Sequence, residues 1–448
     1  MQIIKIKKGL DIPLKGVAAK VTGGFFIPNY VAIKPADFVN VLPRMIVNPG
    51  DRVKAGTPLF KNKYDERIVF TSPVSGVVME PIRGDKRLIM EIPVKADQDI
   101  FYEEFGRQDI SSMNAEDIRS LLTKSGLWTY IRQRPYDLIP SVDATPRDIY
   151  ISTFDTSPLA PDYNFVLKEK VTYFQAGIDA LAKLSNGRVH LGLDGSIDDN
   201  IFSSVKNAEL HYFKGPHPTG NVSVQIHHTK PINKGETIWH LNPQDVAMIG
   251  KLFVDGIYDA RRTIALTGPE AGEAFYQEVV VGCKLKPIIE SQTKQQHLRV
   301  ISGNVLTGSS ISTEGYLGYY HHQLTFITEG DYYEFAGWAM PGFKKFSNSR
   351  VFFSWLFPGK KYDFDTNYHG GHRPLVMSGQ YEKVFPFNIL PVYLVKAILA
   401  QDIEKMESLG IYEVAPEDFA LCDYVCTSKT EVQQIVREGM EMLRKEMS

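Results

Sequence analysis

Cysteine is nearly absent, with three residues in 448, at positions 283, 422 and 426. Three thiols, one of them remote from the others, cannot build a disulfide framework, and their scarcity suits a reducing compartment. Charge of one sign is lacking too. Fifty Lys and Arg stand against 52 Asp and Glu, and a formal net charge of −2 argues against a general nucleic-acid binder. No apolar run reaches the roughly 20 residues that a bilayer demands. The most apolar stretch, FNILPVYLVKAILAQD, is interrupted by Pro391 and Lys396. The opening MQIIKIKKGLDIPLKG alternates charge with isoleucine and has no uninterrupted apolar core, so export is not expected. Also missing is any G-x-G-x-x-G between a strand and a helix, which removes glycine-based support for a nucleotide site.

What is present is ample core material. The chain is 43% hydrophobic and 11% aromatic, and its length suggests roughly two to four domains. The first hundred residues hold 16 Lys and Arg against 10 Asp and Glu, a local basic excess that suits an acidic partner, a membrane surface or ordinary surface variation. In this region Pro49-Gly50-Asp51, Ala55-Gly56-Thr57-Pro58 and Ser72-Pro73 punctuate short β runs. The pattern G-D-x-V-x-x-G-x-P-L followed by S-P-V-S-G-V-V resembles the barrel-sandwich hybrid of biotinyl and lipoyl carriers. Their modifiable lysine falls on Asp65 here, and nearby Lys63 lacks the flanking residues a ligase would read, which argues against carrier function.

From about residue 112 helices alternate with strands. SMNAEDIRSLLTKSGLW is a helix with Asn114 as its cap; RDIYISTFD, KVTYFQAGIDALAKLSNG and RVHLGL follow as strand, helix and strand. That order is a βαβ unit and predicts a Rossmann-like parallel sheet. Between residues 260 and 335 strands dominate: RRTIALTG, EVVVGCKLKPII, HLRVISGNVLTG and HQLTFITEG. After 376 the chain reads as helical, with an apolar stripe from Phe387 to Leu409 and a last helix opened by a Ser428-x-x-Glu431 capping box.

Just before that helix stands PEDFALCDYVCTSK. Ferredoxin-type clusters use C-x2-C-x2-C-x3-C, and counting back from Cys422 and Cys426 puts the two other ligand positions on Pro416 and Phe419, neither of which binds iron. Half a cluster site is present and half is not.

Several long motifs in order carry a resemblance over nearly the whole chain: IKIKKGLDIPLKG, SGLWTYIRQRP from Ser125, GPHPTGNVSVQIHH from Gly215, GKLFVDGIYDARRTIALTGP from Gly250, VISGNVLTG, GYLGYYHHQ, KFSNSR and ALCDYVC. The sequence is similar to the A subunits of the Na+-translocating NADH:quinone oxidoreductase, Nqr. It more distantly resembles the C subunit of the Rnf complex and the flavin- and NADH-binding subunit of complex I. The resemblance implies a multidomain α/β plus β protein. Its parts would be a barrel-sandwich module with an N-terminal segment (1–105), a Rossmann-like domain without a cofactor loop (106–258), a β-grasp-like SLBB module with following strands (259–375) and a helical domain (376–448).

It also implies losses. The Rnf and complex I relatives carry a G-x-G-G-A-x-F-P loop whose bare backbone admits FMN phosphate; the matching stretch here has Trp128 and Tyr130. Their E-C-E-P-Y loop has become FDTSPLAPD. No cofactor is therefore expected on this subunit, FAD, FMN, riboflavin and iron–sulfur being carried by the rest of the complex, and Cys422 and Cys426 are expected to be vestigial. No metal site is expected. The implied role is a peripheral subunit on the cytoplasmic face of the bacterial inner membrane. It would dock on the membrane-embedded quinone-reducing subunit, in support of NADH-to-quinone electron transfer coupled to Na+ export. The alternative is a stand-alone flavin and iron–sulfur NADH dehydrogenase subunit.

A quinone head needs hydrogen bonds at two carbonyl oxygens inside an apolar slot. The candidates are His217 and His227, in what reads as a loop beside the sheet, with Trp128 and Tyr130; against this, a histidine in such a loop usually caps a turn or satisfies a core hydrogen bond. In GYYHHQ, His321 and His322 are adjacent in a strand-like stretch and would point to opposite faces, which disfavours a metal pair. His369 and His372 flank two glycines without a third ligand. KKFSNSRVFFSWLF sets Lys344, Lys345 and Arg350 beside Phe352, Phe353, Trp355 and Phe357, either as a surface for lipid or a membrane subunit or as a charged turn entering a core strand.

Overall fold

Buried β-branched and aromatic runs build the centre of the molecule, and the computed structural model describes residues 2–293, 297–337 and 339–447 of it. One six-stranded sheet runs in the order Ile3–Lys5, Glu209–Lys214, Val189–Asp194, Ile149–Ser152, Ile238–Leu241, Arg132–Arg134. The first five strands are parallel and the last is antiparallel. Strands such as Val189–Asp194 are buried on both faces, as a parallel sheet covered by helices requires. Helices Val171–Ala182 and Pro243–Asp255 cover one face, and helix Val222–Thr229 packs on the other through Val222, Ile226 and Tyr150. The helix Ala115–Ser125 starts where the sequence places it: Asn114 and Asp117 form a reciprocal capping box, and Gly126 ends it at φ 78°.

The leading module has two small sheets, one of five strands and one of three. The hairpin tip that carries a lysine in carrier domains holds Asp65 instead, paired with Arg67, whose guanidinium also grips both carboxylate oxygens of Asp143 at 2.7 Å. The tip is thus tied down to the parallel-sheet domain. The segment before this module does not stay with it. Ile3–Lys5 joins the parallel sheet, and Ala19–Phe25 pairs with Phe275–Val280 at the edge of a third sheet.

That third, mixed sheet is centred on the parallel pair Arg261–Thr267 and Gln323–Thr328, with helix Lys286–Gln292 packed against it. Barrel-sandwich, α/β, β-grasp-like and helical parts are therefore all present. EVVVGCKLKPII is a strand that ends at Val280 and a helix that starts at Lys286, because Gly282 takes φ 70° between them. The apolar stripe after Phe387 is two helices, Pro391–Leu399 and Ile403–Ser408. Ser428 does not cap the last helix: its hydroxyl donates to Pro374 O, and Asp423 accepts from the backbone N–H of Val432 instead. His321 and His322 lie in a loop before the strand, held by Ser302 and Gln244.

The two helices on one face of the parallel sheet cross at glycines. A Cβ on Gly250 would sit 1.7 Å from Tyr173 O, and one on Gly177 would sit 2.1 Å from Val246 O. Neither neighbour is a flexible side-chain end, so the backbones would have to separate. Gly250→Ala should lower unfolding free energy by about 3 kcal/mol, read as a drop in the urea midpoint at unchanged slope; an unshifted midpoint would mean the crossing is looser than this.

Candidate functional site

In a doubly wound sheet ligands bind outside the carboxyl ends of the strands where the strand order reverses. Here the chain moves outward from Ile149–Ser152 to Val189–Asp194 and Glu209–Lys214, then returns to place Ile238–Leu241 on the other side. Above that point lies a cavity of about 200 Å³ whose walls include Ser152, Asp155, His217, Asn242, Tyr130 and Glu417. A larger groove of about 1030 Å³ opens at the other end of the sheet, beside Val189 and Glu209 where the strands begin. Its position does not match the switch point.

The cavity is polar, and Arg132, His240 and Glu417 of its wall belong to a charge cluster that extends beyond it. Asp137, with φ 59°, receives Arg132, Arg134 and His240, and Arg437 of the last helix lies 3.9 Å away. Arg134 is only 1% exposed, and its other end donates to Glu417 Oε1 at 2.7 Å. Burial works against ionising Glu417, but the guanidinium groups of Arg134, Arg132 and Arg437 hold it below the usual carboxylate range. Its neighbour Asp418 is driven the opposite way by burial and by the charge of Glu417. Burial likewise raises Asp155, and pushes Asp245 up to about 6 despite a 2.6 Å hydrogen bond from Arg262.

Glu417 belongs to the stretch that replaces cluster ligands. Pro416 opens a short 3-10 turn, Glu417 forms part of the cavity wall, Asp418 accepts from Ala415 N, and Phe419 is fully buried against Phe385 at 4.7 Å. Cys422 and Cys426 are 0% and 2% exposed in the same helical core. Burial pushes the Cys422 thiol far up. At Cys426 burial acts the same way but is outweighed by hydrogen bonds from Tyr381 and Thr430, which lower it.

His217 and Tyr130 line the cavity together, whereas Trp128 and His227 do not. The sequence GPHPTG is a loop as expected, but His227 lies on the helix Val222–Thr229. Its Nδ1 meets Glu413 Oε2 at 2.6 Å and its Nε2 accepts from Asn388 N, so it ties the sheet domain to the helical domain. Trp128 is buried edge-on against Trp239 and donates to Pro140 O. The whole turn Leu127–Tyr130 is buried, with Thr129 and Tyr130 bonded to Tyr319 and Tyr258. A phosphate approaching bare backbone has no room there, and these residues do not fit FMN. Sequence reading missed Arg132, Arg134, Asp137 and Glu417. The available signal was IRQRP, two arginines two apart in a strand, which puts both on one face.

Burial brings His217 down to about 4, so it is neutral in the folded protein. An imidazole that is harder to protonate when folded adds stability above its unfolded value of about 6.5, and that stability is lost as pH falls toward the folded value. His217→Gln should therefore flatten the loss of stability between pH 6.5 and 4 relative to the parent, measured by urea unfolding at each pH. Identical slopes would contradict a buried neutral His217.

Three family models match: the NqrA N-terminal barrel-sandwich hybrid domain over residues 4–97, the NqrA second alpha/beta domain over 113–258, and the NQRA C-terminal domain over 263–313. Among curated relatives, the A subunit of the Na(+)-translocating NADH-quinone reductase of Vibrio atlanticus is 36% identical over 99% of this chain and 100% of its own length. That of Actinobacillus pleuropneumoniae is 37% identical with the same coverage. A solved NAD+-reducing nickel–iron hydrogenase aligns over 78% of this chain and 67% of its own at 10% identity and a TM-score of 0.38. Matched from end to end at more than a third identity, with its domains recognised in order, the chain belongs to the family of Na(+)-translocating NADH-quinone reductase A subunits.

Proposed function

We propose that the chain is a peripheral subunit of a Na+-translocating NADH-quinone reductase that supports electron transfer from NADH to ubiquinone or menaquinone without carrying a redox group of its own. The observation that carries this reading is the closed turn Leu127–Tyr130: four buried side chains occupy the place where the related flavin subunits offer bare backbone. Phe419 and Pro416 at the cluster positions support it, and Cys422 and Cys426 then serve as core packing. FAD, FMN, riboflavin and iron–sulfur belong to the other subunits. Among the described residues no helix is long and apolar enough to cross a membrane, so any effect on Na+ export passes through membrane-embedded partners.

The docking face is the excursion from Tyr332 to Phe357, on the cytoplasmic side of the inner membrane. Phe335, Phe343, Trp355 and Phe357 are all more than half exposed, and Lys344 and Arg350 stand among them. Among the described residues no core strand forms there; Phe353–Leu356 is a short 3-10 turn. An exposed apolar patch flanked by cations fits a membrane-embedded partner with its surrounding lipid headgroups. Trp355→Glu with Phe357→Glu should leave the thermal unfolding of the isolated chain unchanged, and should abolish co-purification with the other subunits together with NADH-driven quinone reduction in membranes. Full assembly of that variant would sink the docking face.

One observation favours a second reading in which the chain also touches quinone: His217, neutral and buried, shares the switch-point cavity with Tyr130. Ligand-observed NMR with a short-chain quinone should then show binding to the full chain that weakens at least tenfold in His217→Ala and is unaffected by His227→Ala. Equal binding by both variants and the parent would remove the cavity from the quinone path.

A further inference from the structure

Three side chains on the parallel sheet, away from the switch-point cavity, converge as metal ligands do. His190 and Glu209 are register partners on adjacent strands, and His211 is two residues beyond Glu209, so the period of two brings all three to one face. His190 Nδ1 and His211 Nε2 stand 2.9 Å apart, and Glu209 Oε1 is 3.8 Å from His211 Nε2. Among the described residues this is the one group of three His, Cys, Asp or Glu whose ligand atoms all fall within 4.8 Å of one another.

We propose that His190, His211 and Glu209 bind a borderline divalent cation, Zn2+ above all. Two imidazoles and one carboxylate oxygen are the donor set that such ions take, with the fourth position left to water or a partner group. At a zinc–nitrogen distance of about 2.0–2.1 Å, two imidazole nitrogens on a tetrahedral ion lie about 3.3 Å apart. The observed 2.9 Å requires only a slight parting of the rings. Glu209 Oε2 is held by Arg188 at 3.2 Å, which orients Oε1 toward the histidines.

Surroundings prepare the ligands. His190 is 8% exposed, stacks on Tyr150 at 4.4 Å, and turns its Nε2 toward Asp148 Oδ1 at 3.5 Å. That nitrogen has no hydrogen-bond partner within bonding range. Closing that 3.5 Å gap would make the carboxylate–histidine pair that fixes the tautomer of a ligating imidazole. Asp148 is itself fixed by Lys230, Arg147 and the backbone of Arg188.

The test is calorimetric titration of the metal-free full chain with Zn2+, paired with Co2+ loading as a spectroscopic probe. One equivalent of Zn2+ should bind to the parent and to a His369→Ala, His372→Ala control, at least tenfold more weakly to Glu209→Gln, and not measurably to His211→Ala. Asp148→Asn should bind about 10–100-fold more weakly. Co2+ should give visible ligand-field bands without a thiolate charge-transfer band. His211 is only half-buried, and its replacement can be checked for fold by thermal unfolding. Unchanged affinity in His211→Ala, no uptake by the parent at micromolar Zn2+, or a thiolate band would each overturn the site.

Discussion

The buried guanidinium of Arg134 is the charge around which the centre of the molecule is arranged. It lies on the antiparallel edge strand of the parallel sheet, is 1% exposed, and is held between Asp137 beside it and Glu417 from the helical domain. Taking such a charge out of water is costly unless it is paired, and removing one partner of a buried pair costs about 3–5 kcal/mol. The helical domain is thereby obliged to dock where Glu417 can reach. His227 with Glu413 and Asn221 with Asp418 reinforce the same junction. The cavity at the switch point follows from this docking, because the segment that brings Glu417 also supplies one of its walls.

The PEDF stretch at the cluster positions is a structural turn with a role for every residue: Pro416 starts it, Glu417 answers Arg134, Asp418 caps it, and Phe419 enters the helical core. Tyr130 of the cavity wall and Trp128, which lies outside it, lock into aromatic partners on the β-grasp-like module and the parallel sheet. Side chains at these two places join one domain to the next.

Much of this was legible in the residues. Asn114 capping its helix, the βαβ order after residue 149 and the barrel-sandwich turns of the first hundred residues all follow from local propensity, and the structure agrees with them. Local rules failed where tertiary partners intervened. Ser428 looked like a cap until Asp423, from a preceding helix, took the orphan N–H groups. His227 looked like a loop ligand but is a helical residue committed to Glu413. The cluster of His190, Glu209 and His211 was invisible because its members are brought together only by the register of two parallel strands. Arg134 and Glu417 are 283 residues apart, and no local pattern announces such a pair.

In the function proposed above the chain carries no redox group, and its own side chains fill the turn Leu127–Tyr130 and the stretch Pro416–Phe419. The most direct measurement is the flavin and iron content of the chain purified under native, anaerobic conditions, taken from its visible spectrum and from elemental analysis. The expected result is a colourless protein with neither flavin nor iron in stoichiometric amount. One equivalent of flavin, or iron that leaves when Cys422 and Cys426 are replaced, would contradict it.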